Sequence, residues 1–166
     1  MQKIVISNVK NAEYKDVNIN KTFDPDSRHK HEFEFQNSAV SSPFYTGEGK
    51  LTVYFYTLQP GKANYPYHYH TGNEEAYYII SGRGTLVTPD GEKIVAEGDV
   101  IIMPANENGA HMLINTSDAP LVYLDIDTVS SPDVSVYPDS GKILVMAGKI
   151  QKSYKIDAAV NYLDGE

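Results

Sequence analysis

The sequence predicts an all-β domain, a sandwich or closed barrel, and three observations carry that prediction. Apolar and β-branched stretches recur at short intervals. Clusters of Gly, Pro, Asn and Asp separate them. Strong helical periodicity is missing, and no internal repeat or low-complexity segment is visible.

The elements follow in order. Lys50 to Leu58 (KLTVYFYTL) reads as a strand that ends at the turn Gln59-Pro60-Gly61. Tyr65 to His70 is a second stretch, closed by Thr71-Gly72-Asn73. Glu75 to Ile80 follows, then the bend Ser81-Gly82-Arg83-Gly84. Thr85 to Thr88 runs into Pro89-Asp90-Gly91, a hairpin signal, and Lys93 to Ala96 returns. Glu97-Gly98-Asp99 turns the chain into Val100 to Pro104. His111 to Asn115 and Leu121 to Val129 complete about seven or eight strands in some eighty residues. Closing such a set removes its open edges, and jelly rolls and barrels are the usual forms.

The flanks are less regular. Residues 1–45 contain short β-like runs, Ile4 to Ile6 and Phe33 to Phe35, and are expected to wrap around the barrel or a partner subunit. The tail from Tyr137 carries one apolar run, Ile143 to Ala147, before polar sequence. Neither flank reads as a separate domain. The expectation is one domain over 1–166, with a core barrel at about 46–128 between an N-terminal (1–45) and a C-terminal (129–166) extension.

Bulk properties exclude several function classes. With 14 basic and 22 acidic residues the net charge is -8, which repels phosphate backbones and anionic lipids, so neither nucleic acid nor membrane is an expected partner. Cysteine is absent, which removes disulfides, thiolate catalysis and zinc–thiolate sites. The N-terminus lacks a signal-peptide pattern, and no run approaches the ~18 apolar residues of a membrane span, so the cytoplasm is the expected location.

One constellation carries chemistry. His68 and His70 stand two apart in a strand-like stretch, so their side chains project from the same face. Glu75 opens the next strand beyond a turn that can fold it back beside them. His111 opens another strand after a loop rich in Gly and Pro. Three imidazoles and one carboxylate suit one divalent metal ion, whether Zn, Fe, Ni, Mn or Co. In a six-coordinate ion two positions would stay open, as a catalytic rather than structural metal requires.

These residues resemble the two sequence motifs of the cupin superfamily. The first motif, G(X)5HXH(X)3-4E(X)6G, is matched by Gly61, His68, His70, Glu75 and Gly82, with one extra residue before His68. The second, G(X)5PXG(X)2H(X)3N, is matched by Gly98, Pro104, His111 and Asn115, with Asn106 in place of Gly and a loop about two residues longer. The resemblance spans about residues 46–128. It implies a double-stranded β-helix, or jelly-roll, barrel holding a metal through His68, His70, Glu75 and His111. The stretches Asn108-Gly109-Ala110-His111, Asn115 to Asp118 and Tyr137-Pro138-Asp139 are similar to single-domain cupins labelled sugar-phosphate-isomerase-like.

Competing readings stay beside these. Glu74 is the rival carboxylate, but strand parity turns it away from Glu75. His29 and His31 repeat the H-x-H spacing without a matching Glu, and with Glu32 and Glu34 they read more simply as a solvated face. Tyr67 and Tyr69 should point away from the metal, into packing or a dimer contact. Tyr77 and Ile79 share parity with Glu75 and are candidate cavity residues, with Met103, Met112 and Tyr123 as candidate walls. Arg83 reads as a surface turn residue, and Asn115 as a clasp on a turn or strand end.

Two functions follow. The first is a metal-dependent enzyme acting on a small oxygenated molecule, isomerase-like through Lewis acidity or dioxygenase-like with iron. Its general base is unassigned, Glu74, Tyr77 and a metal-bound hydroxide all being candidates. The second is a non-catalytic cupin that binds a small ligand or only a metal. A homodimer is expected from the long N-terminal flank and the outward tyrosines.

Overall fold

The computed structural model describes residues 4–20, 31–42 and 49–166. Its strands are β1 (Lys15–Asn18), β2 (Glu32–Ser41), β3 (Leu51–Leu58), β4 (Lys62–Ala63), β5 (Tyr69–His70), β6 (Glu75–Ser81) and β7 (Arg83–Thr88), then β8 (Gly91–Ala96), β9 (Val100–Met103), β10 (Met112–Ile114), β11 (Leu121–Thr128), β12 (Asp133–Tyr137), β13 (Lys142–Ala147) and β14 (Ile150–Lys155). Ten form one sheet in the order β8-β7-β10-β4-β2-β3-β11-β6-β9, with β1 added to β2. The other four form a second sheet, β14-β13-β12-β5. The architecture is the all-β jelly roll that the motifs implied. Among the described residues, no helix is long and apolar enough to cross a membrane.

Alternation sets which side chains turn inward. On β6, Glu75, Tyr77 and Ile79 are buried, and on β11, Leu121, Tyr123 and Asp125 are buried. Pairing aligns these strands with β3, so Leu58 meets Leu121, Tyr56 meets Tyr123 and Tyr54 meets Asp125. The apolar core collects there: Leu58, Ile79, Leu113, Leu121, Tyr77 and Tyr123 belong to one cluster and are at most 1% exposed. Burying each such side chain contributes about 2 kcal/mol. Gly82 joins β6 to β7 at φ +85°, and a Cβ there would stand 2.4 Å from the Pro120 carbonyl oxygen, so only glycine fits. Asn115 clasps a turn as expected, donating to Leu58 O and Ala119 O and accepting from Ser117 N.

Three expectations change. Ile4 to Ile6 forms no strand, since none of the three joins a ladder, and Ile4 and Ile6 stay over 90% exposed. The N-terminal flank does not simply wrap the barrel, because β1 and β2 are members of the larger sheet. The polar tail contains β14, which is exposed along its whole length and held by ladder bonds to β13. A strand without a buried face leaves no alternation to read.

Candidate metal centre

Backbone pairing places the histidines. His68 N donates to His111 O at 3.1 Å and His111 N donates to His68 O at 2.9 Å, an isolated bridge that sets the two rings 4.9 Å apart. His70 follows on β5, with its ring 5.2 Å from that of His68. Glu75 begins β6. Ligand atoms of His68, His70 and Glu75 lie within 4.8 Å of one another. His111 joins from beneath, with Nε2 3.2 Å from Glu75 Oε2, and is 1% exposed. The four residues selected from the sequence therefore meet at one place.

Each imidazole is held by its Nδ1. His68 Nδ1 donates to Pro66 O and His111 Nδ1 donates to Gly109 O, both at 2.9 Å. His70 Nδ1 donates to Asp133 Oδ2 at 2.6 Å. A carbonyl oxygen only accepts, so in the neutral rings the proton sits on Nδ1 and Nε2 carries the lone pair. This is the tautomer a metal ligand needs, fixed by acceptors around it. Glu75 Oε2 is buried without a hydrogen-bond partner. Donor set, tautomers and that unpartnered oxygen all fit a divalent cation.

His111 carries one competing contact. Asn64 is fixed by the Leu113 amide, and its Nδ2 donates to Tyr77 Oη at 3.1 Å. The Tyr77 proton is thereby directed at His111 Nε2, also 3.1 Å away. An ion taking His111 as ligand must displace that hydroxyl.

The electrostatics follow from burial. Burial pushes His68 down to about 3, reinforced by the neighbouring His111. Burial also opposes charge on His70 and His111, yet Asp133 raises the first and Glu75 the second. Glu75 is buried too, but His111 and the other two imidazoles outweigh the desolvation and keep it ionised below the usual carboxylate range.

The site opens into a cavity of about 460 Å³, lined by His68, His70 and Glu75 together with Asp125, Asp127 and Asp133. Tyr54, Tyr56, Tyr65 and Tyr137 supply aromatic wall, and Leu144 and Met146 close one side. Tyr137 stacks on His68 at 5.5 Å, and Tyr56 and Tyr65 share a hydroxyl contact of 3.2 Å. Burial drives Asp125 well above its ordinary range and Asp127 to about 8, in both cases with help from the Glu75 charge.

Other assignments are corrected. Glu74 is exposed, as its parity predicted. Tyr77, Ile79, Met103 and Tyr123 pack in the main apolar cluster, and Met112 in a second one with Phe33 and Ala63, instead of forming the cavity wall. Tyr67 packs against that second cluster. Burial holds the Tyr77 hydroxyl in its protonated form, well above 10. Arg83 is exposed as expected, but as the first residue of β7 and not in a turn. His29 lies outside the described residues.

Asp125, Asp127 and Asp133 escaped the sequence reading. The first two had a signal, because they continue the inward parity of Leu121 and Tyr123, where a charge is out of place. Asp133 had none, being 63 residues from His70 in sequence.

The sequence from 54 to 127 matches the model of the Cupin domain family. A protein of Acidithiobacillus ferrooxidans that bears the provisional name sugar phosphate isomerase is 27% identical, with 76% of this chain and 80% of that chain covered and a TM-score of 0.67. A protein of Silicibacter pomeroyi, named as a sugar phosphate isomerase from a cupin superfamily, shares 23% identity over 77% of this chain and 82% of that one, at 0.66. A predicted oxalate decarboxylase of Thermotoga maritima, 20% identical over 77% and 100%, superposes at 0.60. A search of curated proteins returns no match. Over 54–127 the chain is thus similar to the Cupin domain family in sequence, and its fold is that of cupin structures.

Proposed function

We propose that this chain is a metal-dependent enzyme that acts on a small oxygenated molecule, by isomerase-like chemistry. The observation that carries the reading is the set of Nδ1 hydrogen bonds, which leaves Nε2 of each imidazole as an acceptor, with ligand atoms of His68, His70 and Glu75 within 4.8 Å of one another and His111 Nε2 3.2 Å from Glu75. His68, His70, Glu75 and His111 would hold one divalent ion, with His111 exchanging its Tyr77 contact for it. When bound, the ion supplies Lewis acidity toward a carbonyl or hydroxyl oxygen of the substrate. The chain does the rest. Pro66, Gly109 and Asp133 keep the rings in register, while Tyr56, Tyr65 and Tyr137 flank the substrate and limit water.

The lining favours a neutral polyhydroxylated substrate over a phosphorylated one. Glu75, Asp125, Asp127 and Asp133 bring carboxyl groups to the cavity, and hydroxyls of Ser130 and Ser135 stand beside them. Such groups exchange hydrogen bonds with sugar hydroxyls, and the ionised Glu75 and Asp133 repel phosphate. The resemblance to a named sugar phosphate isomerase supports the reaction class rather than the phosphate.

The test is aldose–ketose interconversion by metal-loaded protein on paired panels of free sugars and sugar phosphates. Turnover of free sugars, lost in His111→Ala, is the expected result. Turnover confined to phosphates overturns the substrate assignment. No turnover, with a ligand-dependent rise in Tm, replaces the enzyme with a binding protein.

A further inference from the structure

Asp125 and Asp127 stand two apart on β11, so both face inward. In the ladder Asp127 pairs with Glu75 and Asp125 with Tyr77. Carboxylate oxygens of Glu75, Asp125 and Asp127 lie within 4.8 Å of one another. One oxygen of each (Glu75 Oε2, Asp125 Oδ1 and Asp127 Oδ1) is buried without a hydrogen-bond partner. Asp125 is 5% exposed and Glu75 6%, and all three residues line the cavity.

One buried oxygen of each residue lacking a hydrogen-bond partner is a costly arrangement, and three like charges this close cannot all ionise unaided. A proton relieves part of the repulsion, and a cation relieves all of it. Oxygen-only donors suit hard ions such as Mg²⁺, Mn²⁺ or Ca²⁺, whereas the imidazole-rich set beside them suits zinc or iron. Two oxygens opposed across one such ion stand about 4–5 Å apart, which is the span of this cluster.

We infer that Glu75, Asp125 and Asp127 form a second cation subsite, selective for a hard divalent ion and joined to the imidazole site through Glu75. Its pairing with a first ion rests on the function proposed above; its own three carboxylates do not. Paired ions can grip two neighbouring oxygens of one ligand. The subsite therefore suits substrates with a hydroxyl next to a carbonyl.

The experiment is sequential metal titration of the full-length chain, followed by native mass spectrometry and calorimetry. Metal-free protein is saturated with Zn²⁺ and then titrated with Mn²⁺. The wild type should take one zinc and then one manganese. The double variant Asp125→Asn/Asp127→Asn should keep its zinc and bind manganese at least about tenfold more weakly. His70→Ala should show the converse, losing zinc and keeping manganese. Failure of the wild type to take up any manganese after zinc saturation, or unchanged manganese binding in the double variant, overturns the inference. Manganese uptake that depends on Asp125 and Asp127 without any zinc uptake would sustain it while removing the imidazole site. A readout free of variants is the electron paramagnetic resonance of manganese in the zinc-loaded wild type. Oxygen-only coordination supports the subsite, and coupling to imidazole nitrogen rejects it.

Discussion

The matched region at 54–127 and strands β12–β14 of the smaller sheet treat the site in opposite ways. The domain supplies every candidate ligand, and across β3, β11 and β6 it grades from apolar to acidic. Leu58 and Leu121 come first, then Tyr56, Tyr123 and Ile79, then Tyr54, Asp125 and Tyr77, and finally Thr52, Asp127 and Glu75. Strands β12–β14 supply no ligand but hold one in place, because β12 pairs with β5, which carries His70. Asp133, 1% exposed, accepts from His70 Nδ1, from Gly72 N and from Asn73 Nδ2 at once. Ligand identity thus sits inside the recognisable motif, and ligand orientation partly outside it.

The sharpest way to break that division is Asp133→Ala. It frees His70 to rotate and orphans the amide of Gly72, so metal affinity should fall about 10–100-fold while the main core stays folded. Calorimetric titration with circular dichroism as a fold check reads the effect. Unchanged affinity would confine the site to the matched domain.

A smaller effect of opposite sign is expected within the domain. Tyr77→Phe removes the hydroxyl that occupies His111 Nε2 and leaves Asn64 Nδ2 unpaired. Metal should bind about 3–10-fold more tightly, and the metal-free protein should lose about 1 kcal/mol. Weaker metal binding would mean that Tyr77 orients His111 rather than competing for it.

The smallest effect concerns the acidic end of the gradient. In the metal-free chain Asp127 titrates at about 8 instead of 3.8, so between those values the native state holds a proton that the unfolded state has released. Stability from this group is present at low pH and is lost as pH rises toward 8. His68 acts with the other sign. It is held near 3 instead of 6.5, so its contribution is lost as pH falls below 6.5. Comparing metal-free wild type with Asp127→Asn from pH 6.5 to 9 isolates Asp127. The wild-type Tm should drop about 2–5 °C more than that of the variant over this range. Parallel curves would contradict the assignment.

The same contrast explains what was legible in the sequence. Strands with a buried face announced themselves as apolar and β-branched runs bounded by turn residues, as in KLTVYFYTL and LVYLDIDT. The ligands were legible because spacing of two along a strand fixes a common face. Strand β14 was not, because nothing along it is buried. Two departures from the second motif now have a structural account. The longer loop ends in Gly109, where a Cβ would stand 2.0 Å from Pro104 O, and the carbonyl of this same glycine fixes the His111 tautomer. Asn106 caps the short turn before it by accepting from Asn108 N. Asp133 was hidden because no local pattern links two strands that pair across 63 residues of sequence.

Anomalous diffraction tests the central claim most directly, on crystals grown with one divalent metal and measured at its absorption edge. The account predicts a peak bonded to the Nε2 atoms of His68, His70 and His111 and to a carboxylate oxygen of Glu75. A fully loaded crystal whose peak lies away from those four atoms would contradict it.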